Sequence, residues 1–269
     1  MKTSDDEAPI AIQIYGNDPD SMVEAAKMAD NADQIAGGHG CDIIDINFGC
    51  PVNKIAGRGA GSGMMREPDK MVMITERIVK AVSKVPLAER LQDAGISALT
   101  IHGRTRCQMY KGEADWTLIG QVKENPRMHI PIIGNGDINS PQKAGEAFGK
   151  YGVDGIMVGR ASFGHPWIFR EIKHYLTTGE ILPSMSVNDR VALAKWHLSL
   201  STGLKGPVTG VLEMRRHLSC YFKGLPDFKE TRVKLVTAPT ADEVMALLDY
   251  VSERWGTCPL EESSSVYGL

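Results

Sequence analysis

A short apolar run that ends in glycine or polar residues and leads into an amphipathic helix recurs along the first two-thirds of this 269-residue chain. The strand-like runs lie at residues 10–16, 42–49, 98–105, 130–137 and 155–161. Helical patterns lie between them at about 18–35, 67–83 and 140–149. Near-continuous isoleucine, valine and leucine content is typical of strands buried on both faces of a parallel sheet. The alternation therefore predicts an α/β fold, either a (β/α) barrel or a doubly wound sheet.

Polar residues and glycines at the carboxyl ends of these strands favour the barrel. They are Gln13, Asn47 with Cys50, His102 with Arg104, Asn135 with Asp137, and Gly159 with Arg160. In a barrel all parallel strands end at one mouth, where active sites are built. A purely structural sheet has no reason to place polar groups at the same end of five strands.

The chain changes character after about residue 185, where three helical patterns follow one another without a strand-like run. We predict a barrel domain over 8–180, a helical domain over 186–256 and a flexible tail over 257–269. Residues 190–236 hold nine lysines and arginines against three acids, although the whole chain has a net charge of −3. This segment is either a solvated helical face or a surface for an anionic partner.

Composition narrows the class of protein. No apolar run approaches the length of a membrane span, and the polar, acidic start is unlike a signal peptide. The five cysteines form no C-x-x-C pair, which argues against a disulfide framework and a zinc knuckle. We expect a cytoplasmic protein without a metal.

Cys50 lies on the loop after the second strand-like run, between Gly49 and Pro51. A glycine lets a ligand approach the backbone, and a proline stiffens the loop. Nearby Lys54 and Arg58 could stabilise a thiolate, whereas a general acid needs a protonated thiol. On position alone, a catalytic cysteine and a small buried apolar side chain both stay open.

Alternate glycines follow this cysteine at Gly57, Gly59, Gly61 and Gly63. They do not fit the phosphate-binding loop G-x-x-x-x-G-K-[ST], and they do not open a helix directly after a strand as the dinucleotide fingerprint requires. We predict a flexible lid over the barrel mouth instead.

The last two strand-like runs end in GNGD (134–137) and VGRA (158–161). Loops after the final strands of a barrel commonly bind phosphate through backbone N–H groups, and an arginine adds charge. In the helical part, MRRHLSCYF (214–222) is either a packed helix with a basic outer face or a surface that contacts a phosphodiester backbone.

Four stretches together resemble the tRNA-dihydrouridine synthases, most closely the bacterial B-type branch, over about residues 8–255. They are DIIDINFGCPVNK…GRGAGSGMM (42–65), ALTIHGRTRCQMYKGEADW (98–116), IPIIGNGDI (130–138) and GIMVGRASFGHPWIFREI (155–172). The resemblance implies an FMN-bearing TIM barrel of the (β/α)8 type, followed by a C-terminal α-helical bundle that helps to hold tRNA. It implies NADPH-dependent reduction of the uracil C5=C6 bond in tRNA, with hydride from the flavin to C6. We expect the protein to be monomeric.

The resemblance also implies roles for individual residues. Cys50 matches the loop cysteine that gives a proton to C5. The residues that match FMN contacts are Gln13, His102, Asn135, Gly136, Asp137, Gly159 and Arg160. Those expected to bind the tRNA substrate are Asn47, Arg104, Arg215 and Arg216.

This sequence departs from the family pattern in two places. Family members begin with two further strands, and they carry a flavin-contacting lysine on a strand that falls after Pro86 here. Five strands of eight cannot close the same ring, and open edges expose backbone and apolar surface. We therefore expect an incomplete barrel, through truncation or mis-splicing, that binds FMN poorly and has little synthase activity.

Two other functions stay open. One is an FMN barrel that reduces a small pyrimidine, against which the basic helical part argues. The other is a non-catalytic remnant that binds tRNA.

Overall fold

The computed structural model describes residues 9–31, 41–81, 92, 95, 97–105 and 107–258. The chain divides into two compact units. Unit 1 comprises residues up to 136 together with 146–157, and unit 2 comprises residues 137–145 together with 158 onward.

The strands, all in unit 1, are β1 (Ala11–Ile14), β2 (Ile43–Ile46), β3 (Leu99–His102), β4 (Ile132–Asn135) and β5 (Gly155–Met157). The helices of unit 1 are α1 (Pro19–Asp30), α2 (Asn53–Ala56), the 3-10 helix Gly61–Arg66, α3 (Pro68–Ala81) and α4 (Thr117–Glu124). Helix α5 (Pro141–Tyr151) has residues in both units. Unit 2 contains the 3-10 helix Arg160–Ser162, α6 (Ile168–Thr178), α7 (Val187–Lys205), α8 (Pro207–Tyr221), α9 (Lys229–Thr237) and α10 (Ala241–Trp255).

The strands pair in parallel, so the predicted α/β fold with parallel strands is confirmed. β1 pairs with β2, with Ala11 opposite Ile43. β4 pairs with β3 on one side and β5 on the other, with Leu99 opposite Ile132. Within the described residues these are two open sheets, not a ring. The strand expected to be missing after Pro86 falls outside the described residues.

Helices α1 and α3 cover the β1–β2 sheet because each buries one apolar stripe. Met22, Ile44, Ile74 and Ile78 are almost completely buried in one shared core. Each such side chain contributes roughly 1.5–3 kcal/mol on burial. Helix α1 begins where the Asp18 carboxylate accepts the N–H of Ser21 at 2.8 Å, which satisfies one of the free amides of the first turn.

Asp154 fixes the start of β5 against its neighbours. Its carboxylate accepts the Lys123 ammonium of α4 at 2.7 Å and the N–H of Ile132 at 2.7 Å. These two contacts hold the pKa of Asp154 below its usual value. The register of β5 beside β4 therefore depends on a carboxylate as well as on the strand ladder.

The helices of unit 2 from α7 to α10 share one hydrophobic core. Leu198, Met214, Leu235 and Leu248, one from each helix, are at most 1% exposed. Two of these helices begin at a side-chain cap: the Ser186 hydroxyl accepts the N–H of Asp189 at 3.1 Å at the start of α7, and the Thr240 hydroxyl accepts the N–H of Glu243 at 3.3 Å at the start of α10.

Candidate active site

The loop that follows β2 is held by the side chain of Asn47. Its Oδ1 accepts the N–H groups of Gly49 at 3.0 Å and Cys50 at 2.9 Å. Its Nδ2 donates to Oε1 of Gln13, at the end of β1, at 2.9 Å. A short asparagine side chain can replace backbone partners in such a turn. Asn47 therefore fixes the path of the backbone into Cys50, whose side chain is partly buried.

The glycine-rich segment packs beneath this loop. The N–H of Ser62 donates to the Cys50 carbonyl at 3.0 Å. Gly61 has φ of +53°, and a Cβ there would lie 2.8 Å from the Cys50 carbonyl oxygen. A Cβ on Gly63 would lie 2.4 Å from the Ala56 carbonyl oxygen. These glycines are required for close backbone packing.

The prediction of a flexible lid is wrong for this part of the segment. The four residues Gly61–Met64 are buried, and Met64 is completely so. Alternate glycines occur both in mobile turns and in segments where two stretches of backbone pack closely, because each needs residues without a Cβ. The sequence pattern therefore could not distinguish the two.

The ends of β3 and β4 carry further predicted site residues. Nδ1 of His102 accepts the N–H of Arg104 at 3.0 Å, so a proton on the neutral ring lies on Nε2. Nδ2 of Asn135 donates to the carbonyl of Met157 at 2.8 Å, which ties the ends of β4 and β5 together. Nε1 of the buried Trp116 donates to the Gly136 carbonyl at 2.9 Å.

Arg104 braces its own loop. Its Nε donates to the carbonyl of Lys111 at 3.3 Å, and its Nη2 donates to the carbonyl of Gly112. The guanidinium therefore shapes the loop between β3 and α4, a role that the spacing of charged residues could not reveal.

A cavity of about 800 Å³ lies within unit 1 and is lined largely by apolar side chains. It brings together six of the predicted site residues, namely Gln13, Asn47, Cys50, His102, Arg104 and Asn135. Sequence reasoning missed the apolar residues that share it, including Met65, Met71, Met109 and Tyr110. A partial signal was present in QMY (108–110), because large side chains in a polar loop commonly line a ligand site.

Three predicted cofactor residues lie in unit 2, and Gly136 does not line the cavity. Nη2 of Arg160 lies 3.4 Å from Oδ1 of Asp137, and Asp137 has φ of +54°, which is unusual for a residue with a side chain. A Cβ on Gly159 would meet nothing within 4 Å, so its backbone is open to approach. The Ser162 hydroxyl donates to the Gly159 carbonyl at 2.9 Å.

The two arginines of α8 make different contacts. Nη2 of Arg215 lies 3.4 Å from the carbonyls of Thr237 and Ala238, where a cation is favourable at the end of α9. The guanidinium of Arg216 lies 4.0 Å from the ring centroid of Phe163, in a cation–π contact. The sequence suggested both arginines for substrate binding, but each guanidinium already contacts other parts of the protein.

Two classes of site are not found in the described ranges. No helix there is long and apolar enough to cross a membrane. No group of three or more histidine, cysteine or acidic side chains in those ranges is placed to hold a metal ion.

Parallel strands whose carboxyl ends surround an apolar cavity with a loop cysteine are typical of an α/β enzyme. The family model described as dihydrouridine synthase (Dus) matches residues 1–88 and 83–253. The chain therefore belongs to the dihydrouridine synthase family, and its curated relatives place it in the B-type branch.

Three relatives illustrate the similarity. A tRNA-dihydrouridine synthase B of Xanthomonas campestris is 39% identical over 257 residues, which cover 89% of this chain and 74% of the relative. A probable tRNA-dihydrouridine synthase of Rickettsia conorii is 38% identical over 257 residues, with 88% and 75% covered. A tRNA-dihydrouridine synthase B of Proteus vulgaris is 40% identical over 240 residues, with 83% and 72% covered.

The aligned regions also contain positions that this chain lacks. In the Xanthomonas campestris comparison, 89% of 269 residues is about 239, so about 18 of the 257 aligned positions have no counterpart here. The family match is interrupted at residues 83–88, where its two segments overlap. Together these findings point to a missing stretch between β2 and β3.

Proposed function

We propose that this chain is a tRNA-dihydrouridine synthase that uses FMN and NADPH to reduce uridine to 5,6-dihydrouridine in tRNA. The observation that carries the proposal is Cys50 on a braced loop at a cavity within a chain of the dihydrouridine synthase family. The relatives are named tRNA-dihydrouridine synthase B, which supports the formation of dihydrouridine in tRNA. The proposed architecture is a TIM-barrel type followed by a C-terminal α-helical bundle.

The residues of unit 1 fit the ring system of a flavin. The cavity is apolar over most of its lining and of a size usual for cofactor sites, and its polar groups lie at strand ends. Gln13, His102 and Asn135 are the residues we propose to contact the ring. When bound, the flavin would supply the hydride for the reduction.

Gly159 and Arg160 are residue types that suit the phosphate of FMN. Gly159 leaves its backbone open, and Arg160 brings a guanidinium that suits phosphate. We propose that Gly136, Asp137, Gly159 and Arg160 contact the cofactor.

Cys50 is the proposed general acid. Its thiol would hold the proton that C5 of the uracil receives. A donor must be fixed within hydrogen-bond reach of its target, and the three backbone contacts made by Asn47 and Ser62 supply that fixation. Asn47 is thus a positioning residue for Cys50, and Arg104 shapes the neighbouring rim.

Transfer RNA is the proposed partner of unit 2. Residues 190–236 carry the excess of six positive charges, and such an excess favours a phosphodiester backbone. Arg216 is exposed and faces an aromatic ring, an arrangement that also suits stacking with an unpaired base. Arg215 would contribute mainly by holding α9 in place.

The missing stretch favours a second candidate, a protein that binds tRNA without catalysis. About 18 aligned positions of the relatives are absent from this chain, and the family match breaks at residues 83–88, between β2 and β3. We propose that this loss weakens flavin binding and lowers synthase activity.

The test compares Cys50→Ala with Cys107→Ala, which removes an exposed cysteine that does not line the cavity. Each variant is purified, its bound flavin is measured by absorption, and unmodified tRNA is incubated with FMN and NADPH before dihydrouridine is quantified by mass spectrometry. Loss of a general acid should slow the reaction by about 100-fold or more, with flavin content unchanged. Equal rates for both variants would show that Cys50 is not the general acid.

The same samples separate the two candidates. A chain that binds tRNA in a filter assay but retains no flavin and forms no dihydrouridine is the non-catalytic protein. Turnover of free uracil in preference to tRNA would instead indicate a small-molecule reductase.

A further inference from the structure

The segment at residues 159–168, here called the turn segment, leads from the proposed phosphate residues to the start of α6. The N–H of Ser162 donates to the Gly159 carbonyl at 3.0 Å, and the N–H of Phe163 donates to the Arg160 carbonyl at 3.1 Å. These tight turns overlap, as is common in short 3-10 connections. A displacement at Phe163 therefore moves the backbone at Gly159 and Arg160 as well.

Gly164 brings the backbone of the turn segment directly onto α8. Its φ is +64°, a conformation that residues with a side chain rarely adopt. A Cβ there would lie 2.5 Å from Cβ of Cys220 and 2.6 Å from the backbone nitrogen of Tyr221. Both the backbone conformation and the close approach therefore require glycine at this position.

The ring of Phe163 is held by two side chains of α8. The guanidinium of Arg216 lies 4.0 Å from the ring centroid, and the ring of His217 meets it edge-on with centroids 5.7 Å apart. His217 packs in turn against His197 of α7, with ring centroids 4.7 Å apart. The Phe163 ring thus contacts a cluster that two helices hold in place.

Trp167 fixes the far end of the turn segment. It is buried in the core shared by α7 to α10, and its ring centroid lies 5.9 Å from that of Tyr221. The guanidinium of Arg190 lies 4.9 Å from the same ring. Phe163, Gly164 and Trp167 are thus three points at which the turn segment is attached to the helices of unit 2.

We propose that α8 positions the residues that bind the phosphate of FMN, with Phe163 and Gly164 as the positioning residues for Gly159 and Arg160. This inference rests on the proposed function, which assigns the phosphate to Gly159 and Arg160. A binding site must be held to within about 0.5 Å of its productive geometry. A change in packing on α8 should therefore weaken binding of the phosphate and spare the flavin ring, whose proposed contacts lie in unit 1.

The first measurement uses the whole chain without flavin. Gly164→Ala should accelerate amide hydrogen exchange of Ser162 and Phe163 by about tenfold or more, because the turn segment is displaced from α8. Gly210→Ala is the matched control, since its Cβ would lie 2.6 Å from a backbone carbon of α7. It inserts the same methyl group against a helix backbone elsewhere on α8, so exchange of the two turn amides should change by less than about twofold.

The second measurement compares FMN with riboflavin, which has the same ring system and no phosphate. Titrations followed by flavin fluorescence give a Kd for each ligand. In Gly164→Ala the Kd for FMN should rise by about tenfold and that for riboflavin by less than about twofold. In Gly210→Ala the ratio of the two Kd values should equal that of the parent chain, because a general loss of stability affects both ligands alike.

Milder variants at Phe163 give a second test if Gly164→Ala does not fold. Phe163→Leu keeps an apolar side chain but removes the ring that Arg216 and His217 contact, so the Kd for FMN should rise by roughly threefold. Phe163→Tyr keeps the ring and should restore the parent value.

Unchanged exchange of Ser162 and Phe163 in the folded variants would overturn the proposal. It would also be overturned if the Kd values for FMN and riboflavin rose together, or if Phe163→Tyr behaved like Phe163→Leu. A parent chain that bound neither flavin would count against the proposed cofactor. The exchange measurement, which needs no ligand, would then decide by itself whether α8 positions the turn segment, so the two failures are distinguishable.

Discussion

Replacement of Asn47 tests whether its side chain holds the Cys50 loop in place. Asn47→Ala removes the oxygen that accepts two backbone N–H groups, from Gly49 at 3.0 Å and Cys50 at 2.9 Å. Each bond contributes about 1 kcal/mol net, so their loss favours the open loop by about 2 kcal/mol. This corresponds to roughly a 30-fold larger opening equilibrium.

Asn47→Asp separates the two functions of the side chain. The carboxylate keeps an oxygen for both N–H groups but cannot donate to Oε1 of Gln13, which the native amide contacts at 2.9 Å. The loop should therefore stay closed in the aspartate variant, while the tie to β1 is lost.

Amide hydrogen exchange of Gly49 and Cys50, followed by nuclear magnetic resonance or by mass spectrometry of the loop peptide, measures the effect. Exchange of both amides should accelerate by roughly 30-fold in Asn47→Ala and by only a few-fold in Asn47→Asp. Equal acceleration in the two variants, or no acceleration in Asn47→Ala, would refute the reasoning.

Two further predictions concern unit 2. Gly210→Ala should lower the free energy of unfolding, because a Cβ there would lie 2.6 Å from a backbone carbon of α7, and overpacking of about 1–3 kcal/mol exceeds the gain of about 1 kcal/mol in helix propensity. Gly203→Ala, whose Cβ meets nothing within 4 Å, should instead be stabilising in urea unfolding; the reverse order would contradict this packing argument. Burial lowers the pKa values of His197 and His217, so the unfolded chain binds more protons just below about pH 6.5 and stability should fall as the pH drops through that range. His217→Gln should flatten the pH dependence of the melting temperature between about pH 7.5 and 5, and an unchanged slope would exclude His217 as its source.

Local patterns predicted much of the fold because they report local physics. The strand at 43–46 and helix α3 follow from apolar periodicity and from Pro68 in the first turn, which require no knowledge of distant residues. Polar residues at the carboxyl ends of the strands likewise predicted where a site would form, and six of them line one cavity.

The sequence did not predict what the site residues contact. Arg104 and Arg215 both bind backbone carbonyls, and the oxygen of Asn47 is used by its own loop. A charged or amide side chain suits a ligand and a carbonyl equally well, so residue type alone cannot choose between them.

By itself, the sequence determined the family, the parallel α/β pattern and the cysteine loop, since each is written in contiguous residues. Tertiary structure decided the rest. It buried Gly61 and Gly63 at positions where the neighbouring backbone lies too close for a Cβ. It also left β3 unburied, although the run at 98–105 predicts a strand covered on both faces, because all four residues of β3 line the cavity. Burial depends on the neighbours a strand finds, and those lie elsewhere in the chain.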